Sequence, residues 1–176
     1  AAGLSARVTD KDGKPLSGAV LTLQGLPGKA AVSLKANMDQ RDQEFSPRVL
    51  AVHTNTEVKF PNSDNIRHQV YSFSPAKTFN LKLYAGATQP PVVFDRPGLV
   101  VLGCNIHDSM IAFIAVVATP WFGKSAADGS VRLDVPAGRY RMRLWHPDLA
   151  APLTARLVTI GAAATTLTPV LDIAAA

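Results

Sequence analysis

Apolar residues in this chain fall into short runs and strict alternations, and no stretch of convincing length holds a helical period. Gly98-Leu99-Val100-Val101-Leu102 and Ile111-Ala112-Phe113-Ile114-Ala115-Val116-Val117 read as buried strands. Arg139-Tyr140-Arg141-Met142-Arg143-Leu144 alternates strictly. On a strand this sends the arginines to one face and Tyr140, Met142 and Leu144 to the other. Between residues 31 and 118 the pattern predicts strands at 32–38, 48–54, 56–60, 68–73, 80–83, 91–94, 98–103 and 111–118. Turn residues punctuate them at Pro61-Asn62-Ser63-Asp64, Pro90-Pro91 and Arg96-Pro97-Gly98. The best helical stretch, Ser74 to Leu83, is short and interrupted by Pro75. Short strands at this spacing predict an all-β Greek-key sandwich or barrel.

The flanks add strands of their own. Leu4-Ser5-Ala6-Arg7-Val8-Thr9 and Ala19-Val20-Leu21-Thr22-Leu23 are joined by a turn at Asp10-Lys11-Asp12-Gly13-Lys14-Pro15. After Thr119-Pro120-Trp121-Phe122-Gly123-Lys124, which reads as a linker, strands are predicted at Ser130 to Val135, Tyr140 to Trp145, 153–159 and 165–172. Two strands alone are marginal in water. Residues 4–25 are therefore expected to pair with 125–172 in one small sandwich, with 31–118 inserted. The expected organisation is 1–30 and 119–176 as two parts of one β-sandwich and 31–118 as the other domain.

The candidate chemistry is concentrated in Gly103-Cys104-Asn105-Ile106-His107-Asp108-Ser109-Met110, which holds the only cysteine of the chain. Thiolate, imidazole and thioether at Cys104, His107 and Met110 are the soft and borderline donors that copper prefers. They stand on a short loop between two predicted strands, from which all three side chains can reach one centre. A trigonal copper site needs a second imidazole. His68, where a loop enters Val70-Tyr71-Ser72-Phe73, is the best candidate. His53 ends an apolar run without a second donor at ligand spacing, and His146 precedes Pro147 in a turn.

Residues 31–118 resemble the cupredoxins, the small blue copper proteins. The Cys-x-x-His-x-x-Met spacing is most similar to the short ligand loop of the amicyanin type. Further likeness lies in Phe45-Ser46-Pro47 before a strand, in Val58-Lys59-Phe60 and Asn62 ahead of His68, and in Phe94-Asp95-Arg96-Pro97-Gly98 ahead of the Cys104 loop. The resemblance implies a type 1 copper-binding electron-transfer protein. His68, Cys104 and His107 would form the trigonal plane, Met110 the weak axial contact, and the ion would cycle between Cu(I) and Cu(II). It further implies a hydrogen bond, from the backbone or the side chain of Asn62, toward the Cys104 sulfur. Many cupredoxins carry Asn directly after the first ligand histidine, where it ties the ligand loops together; here that position is Gln69.

The flanks resemble the two halves of a carboxypeptidase regulatory-like, or transthyretin-like, module. Val8-Thr9-Asp10 with Gly13-Lys14-Pro15-Leu16-Ser17-Gly18-Ala19 is similar to the first half and Ala127 to Tyr140 to the second. The combined order is similar to bacterial proteins described as methylamine utilisation or plastocyanin-like. Export to the periplasm, and a cytochrome or dehydrogenase there as redox partner, follow from the resemblance. A start at Ala1-Ala2-Gly3 fits a mature end after cleavage at a small-residue site.

The net charge of +5 changes this picture little, because the basic residues are scattered and not interleaved with aromatics as on a nucleic-acid surface. The strand arginines would form a solvated face or a docking face for an acidic partner. No apolar run approaches the ~18 residues of a spanning helix. No enzyme is expected, since Cys104 with His107 lacks a third orienting residue and an oxyanion motif. The rival readings are a copper chaperone or store, which would expose clustered Met or Cys, and a β-sandwich interaction module. Met38, Met110 and Met142 are far apart in sequence. The electron port is expected at His107, within Asn105, Ile106, Asp108 and Ser109.

Overall fold

The computed structural model describes residues 3–25, 30–85, 90–104 and 110–174. Every regular element in these residues is a β-strand. The chain divides into two compact units, Ala1–Ala30 with Thr119–Ala176, and Ala31–Ala118.

In the unit of residues 31–118 a five-stranded sheet runs in the order Lys77–Tyr84, His68–Ser74, Gly98–Gly103, Ile111–Val117, Val49–His53. A three-stranded sheet has the order Val92–Phe94, Thr56–Lys59, Lys35–Asn37. Alternation along each strand sends one set of side chains inward. Val70, Val100, Leu102, Ala112, Ile114 and Val116 from the first sheet meet Val58 and Phe94 from the second in one core. Phe60, Phe79 and Phe94 pack with ring centroids 5.7–6.4 Å apart, which adds to the burial term.

Two departures from the pattern matter here. The helical stretch Ser74 to Leu83 is a turn followed by the strand Lys77–Tyr84, because Ser72, Phe73 and Ser74 find cross-strand partners at Phe79, Thr78 and Lys77. Of the strand expected over 32–38 only Lys35–Asn37 forms, and a small hairpin, Asp39–Arg41 with Glu44–Ser46, follows it where no strand is predicted. Its turn places Asp42 and Gln43 at φ 52° and 59°, the left-handed pair that a tight two-residue hairpin requires. Neither residue adopts that region cheaply. The turn is held from outside, by the carboxylate of Asp64, which accepts from both backbone N–H groups at 2.8 and 2.9 Å.

In the other unit a four-stranded sheet has the order Trp121–Lys124, Val20–Gln24, Gly138–Trp145, Arg156–Ile160. A three-stranded sheet has the order Ser130–Asp134, Gly3–Arg7, Ala164–Leu167. The N-terminal strands thus pair with strands from beyond residue 119 in both sheets. Leu4, Leu21, Leu23, Val131, Tyr140, Met142 and Ile160 form its core. The segment read as a linker is in part a strand. Trp121–Lys124 pairs with Val20–Gln24, Trp121 packs on the core, and Gly123 passes where a Cβ would come within 3.0 Å of Val131. Its Thr119-Pro120 start disguised it, since Pro is a turn signal that can also precede a strand.

Candidate metal centre

Cys104 leaves the ladder directly after Gly103, and Met110 enters it directly before Ile111; Gly103 and Ile111 are cross-strand partners. The two sulfur residues therefore stand side by side at the end of the hairpin, 2% and 1% exposed, in the core of the unit. Gly103 is needed there, because a Cβ would come within 2.8 Å of the Tyr71 hydroxyl. Tyr71, Phe73 and Ile111 line, with Cys104 and Met110, a cavity of about 350 Å³. His107 and its neighbours Asn105, Ile106, Asp108 and Ser109 lie outside the described residues.

His68 opens the strand His68–Ser74 and is fully buried. Its Nδ1 lies 3.9 Å from the Cys104 Sγ, across 36 positions of sequence. Its Nε2 lies 2.5 Å from Asp64 Oδ2. An ionised carboxylate can only accept, so Nε2 carries a ring proton, and in the neutral imidazole the Nδ1 lone pair faces the sulfur. Burial pushes the Asp64 carboxyl up, but the Gln43 N–H, the His68 ring and the Asp42 N–H together hold it below its usual value. The carboxylate thus joins the imidazole to the Asp42–Gln43 turn.

Asn62 can reach the sulfur through its backbone or its side chain, and the side chain is engaged elsewhere. Its Nδ2 donates to Ile66 O and Tyr84 O, both at 2.9 Å, and its Oδ1 accepts from the Asp64 N–H at 3.0 Å. The side-chain amide builds the turn that presents Asp64, and its donors go to carbonyls rather than to the thiol. Gln69 points to the outer side of the sheet and donates to Asn80 at 2.7 Å. Below the site lies a buried polar network. Gln40 donates to the Tyr84 hydroxyl at 2.6 Å, and Tyr84 donates to Phe60 O. Burial, with Asp39 and Cys104 adding to it against the Gln40 hydrogen bond, pushes the Tyr84 phenol up to about 12. Sequence reasoning missed Gln40, Tyr84 and Asp64. Only Asp64 carried a signal, a carboxylate four residues before a candidate ligand in a turn.

His53 is half-buried at its strand end, 3.0 Å from Thr54 O, and His146 is buried in the other unit; neither belongs to a group of metal-binding side chains among the described residues. Met38 and Met142 are buried in the two separate cores, so the described methionines form no exposed cluster. Among the described residues no group of three or more His, Cys, Asp or Glu side chains could hold an ion. The donor pair itself fits one. Imidazole and thiolate bonds of about 2.0 and 2.3 Å, the lengths seen for zinc, at a wide angle put N and S roughly 3.7–3.9 Å apart.

Neither a family model nor a curated protein matches the sequence. Solved structures do. The chain is similar to a copper-containing nitrite reductase from Thermus scotoductus SA-01, with a TM-score of 0.46 and 23% identity over 55% of this chain and 25% of that one. It spans only a quarter of that enzyme. It is similar to a purple cupredoxin from Nitrosopumilus maritimus, with a TM-score of 0.42 and 20% identity over 47% of this chain and 99% of that one. It is also similar to a reduced Cu(I) amicyanin variant, with a TM-score of 0.44 and 14% identity over 55% of this chain and 98% of that one.

Proposed function

We propose that residues 31–118 form a cupredoxin-type single-electron carrier built around one copper ion, with His68, Cys104, His107 and Met110 as its ligands. The observation that carries this reading is the buried approach of His68 Nδ1 to Cys104 Sγ at 3.9 Å, beside an equally buried Met110. Copper held there would supply exchange of one electron between Cu(I) and Cu(II). The chain's own work is to hold one geometry. Cys104 and Met110 are fixed by the paired strands behind them, His68 is oriented by Asp64, and the apolar core keeps water from the donors. Carriers of this kind serve a cytochrome or dehydrogenase in the periplasm, and we assign such a partner and compartment to this chain. No helix among the described residues is long and apolar enough to cross a membrane.

One observation favours a second reading. Cys104, His68 and Asp64 are aligned as nucleophile, base and orienting carboxylate. Against it, the thiol and the imidazole are buried, and the neighbour of the thiol is a thioether where acyl transfer needs donors to an oxyanion. The visible spectrum of the Cu(II)-loaded protein decides. We expect an intense thiolate-to-copper charge-transfer band that Cys104→Ala abolishes. Met110→Leu should shift the reduction potential more than the affinity. An intense band surviving in Cys104→Ala overturns the assignment, and an unusually fast iodoacetamide reaction at Cys104 in a protein without that band supports the nucleophile.

A further inference from the structure

The outer face of the four-stranded sheet carries charge of one sign. Arg139, Arg141 and Arg143 all point outward from Gly138–Trp145, an inner strand of that sheet, while Tyr140 and Met142 point into the core. Their cross-strand neighbours are Thr159, Leu157, Gln24 and Thr22. On the same face Phe122 lies beside Thr22, and Lys124 and Trp145 lie beside Val20. Val20, on the outer face between Lys124 and Trp145, is buried. The chain has 13 acidic residues, yet none stands at these positions. Elsewhere cations meet carboxylates, as Lys11 meets Asp172 and Lys77 meets Asp95. None of the three arginines is in an ion pair among the described residues.

We propose that this face docks the acidic surface of a partner protein. Successive arginines stand about 7 Å apart along a strand, which presents their guanidinium forks as a flat row. Exposed like charges in mid-sheet repel one another, and an anionic surface relieves that repulsion. The rest of the face favours a protein over the other polyanions. Leu157 is 76% exposed among the arginines and offers an apolar contact at the centre of the row. Arg with aromatic and aliphatic side chains on a flat surface is the composition of protein interfaces. A single-stranded nucleic acid would need exposed rings to stack on, and Phe122 and Trp145 are half-buried. The proposal stands on the flanking unit and does not depend on a metal.

The test uses the full chain and poly-L-glutamate as the acidic probe, with binding followed by titration calorimetry at low salt. The triple variant Arg139→Ser, Arg141→Ser, Arg143→Ser should bind about tenfold more weakly or worse. A charge-matched control, Lys35→Ser, Lys59→Ser, Lys82→Ser, should stay within about twofold of the parent. Circular dichroism and the urea midpoint verify that both variants fold. Equal losses in the two variants overturn the proposal, because the net charge alone then explains the binding. Retained binding in the arginine variant overturns it too. Vesicles of equal parts phosphatidylglycerol and phosphatidylcholine, and a single-stranded oligonucleotide, are titrated in parallel. Tighter arginine-dependent binding to either replaces the protein partner by that surface.

Discussion

Among the described residues each unit buries one histidine, and the two are used in opposite ways. His146 lies in the flanking unit with Nε2 3.0 Å from Ser17 O and Nδ1 accepting from the Asp148 N–H at 3.1 Å. Both ring nitrogens go to backbone, so the imidazole is a staple between Ser17 and the Pro147–Asp148 turn. His68 in the other unit turns one nitrogen to a carboxylate and the other to a thiol. A carboxylate and a thiol are more than a structural histidine requires. The same contrast holds for several other polar side chains, although Thr56 and Ser72 of the 31–118 unit also bond only backbone. Ser125 donates to Leu16 O at 2.6 Å and accepts from the Ala19 N–H at 2.9 Å, and Thr119 donates to Leu23 O at 2.6 Å. They close backbone accounts across the sandwich and point nowhere else. Gln40, Asn62, Asp64 and Tyr84 are linked through the carbonyls of Phe60 and Tyr84 and converge on the His68–Cys104 end. Burial of a polar group is thus a poor guide to function until its partners are named.

Exchanging the two histidines for alanine should separate these roles most sharply. His68→Ala is expected to abolish the intense band of copper-loaded protein. His146→Ala should leave that band intact and lower stability by about 1–3 kcal/mol, since a buried ring and its two hydrogen bonds to backbone are lost. Absorption spectra and urea unfolding of both variants measure this. A band that survives His68→Ala removes that ligand from the site.

Asp64→Asn is the next largest effect. The amide keeps an acceptor for one N–H but loses the charge that serves the Asp42 and Gln43 N–H groups and the His68 ring together. We expect about 10–100-fold weaker copper binding, the usual cost of disturbing such a partner, measured by competition with a chelator. In apo-protein the loss should appear as a mixture of His68 tautomers by nitrogen-15 NMR, a readout that needs no metal. Unchanged tautomer and affinity would reduce Asp64 to a turn residue.

What could be read from sequence follows the same division. Gly98–Gly103 and Ile111–Val117, inner strands of the five-stranded sheet, and Val49–His53 at its edge are legible because each is a nearly continuous apolar run. The Asp39–Arg41 and Glu44–Ser46 hairpin is not legible. It is built of Asp, Gln, Arg and Glu around Phe45, and its strained turn is held by a carboxylate 21–22 residues away. Trp121–Lys124 hid behind Pro120 for want of any local sign that residues 20–24 would pair with it. Around the site, residue type and short spacing single out Cys104 and Met110 as donors. The Asp64–His68 contact depends on a loop conformation set by Asn62, whose side-chain amide finds nearby carbonyls before a distant sulfur.

The smallest effect concerns the two buried tyrosines, one in each unit. Tyr84 has its phenol raised from 10.0 to about 12, first by burial. Tyr140, which donates to Pro136 O at 2.8 Å, is also raised by burial. A phenol kept neutral in the folded state holds its proton where the unfolded chain has released it. Its contribution to stability is therefore complete below about pH 10 and is lost as pH rises through 10 toward 12. Tyr84→Phe should flatten that alkaline fall in part, and the additional Tyr140→Phe should flatten it further. The two replacements differ at neutral pH. Removing the Tyr84 hydroxyl takes an acceptor from Gln40 and a donor from Phe60 O, but Gln40 Nε2 still lies 3.3 Å from that carbonyl. The cost should stay near the low end of about 1–3 kcal/mol. Urea midpoints of the single and double variants, compared near neutrality and at about pH 11, measure both quantities. If Tyr84→Phe keeps the full alkaline slope, burial does not hold the Tyr84 phenol neutral, and the two tyrosines are no longer comparable.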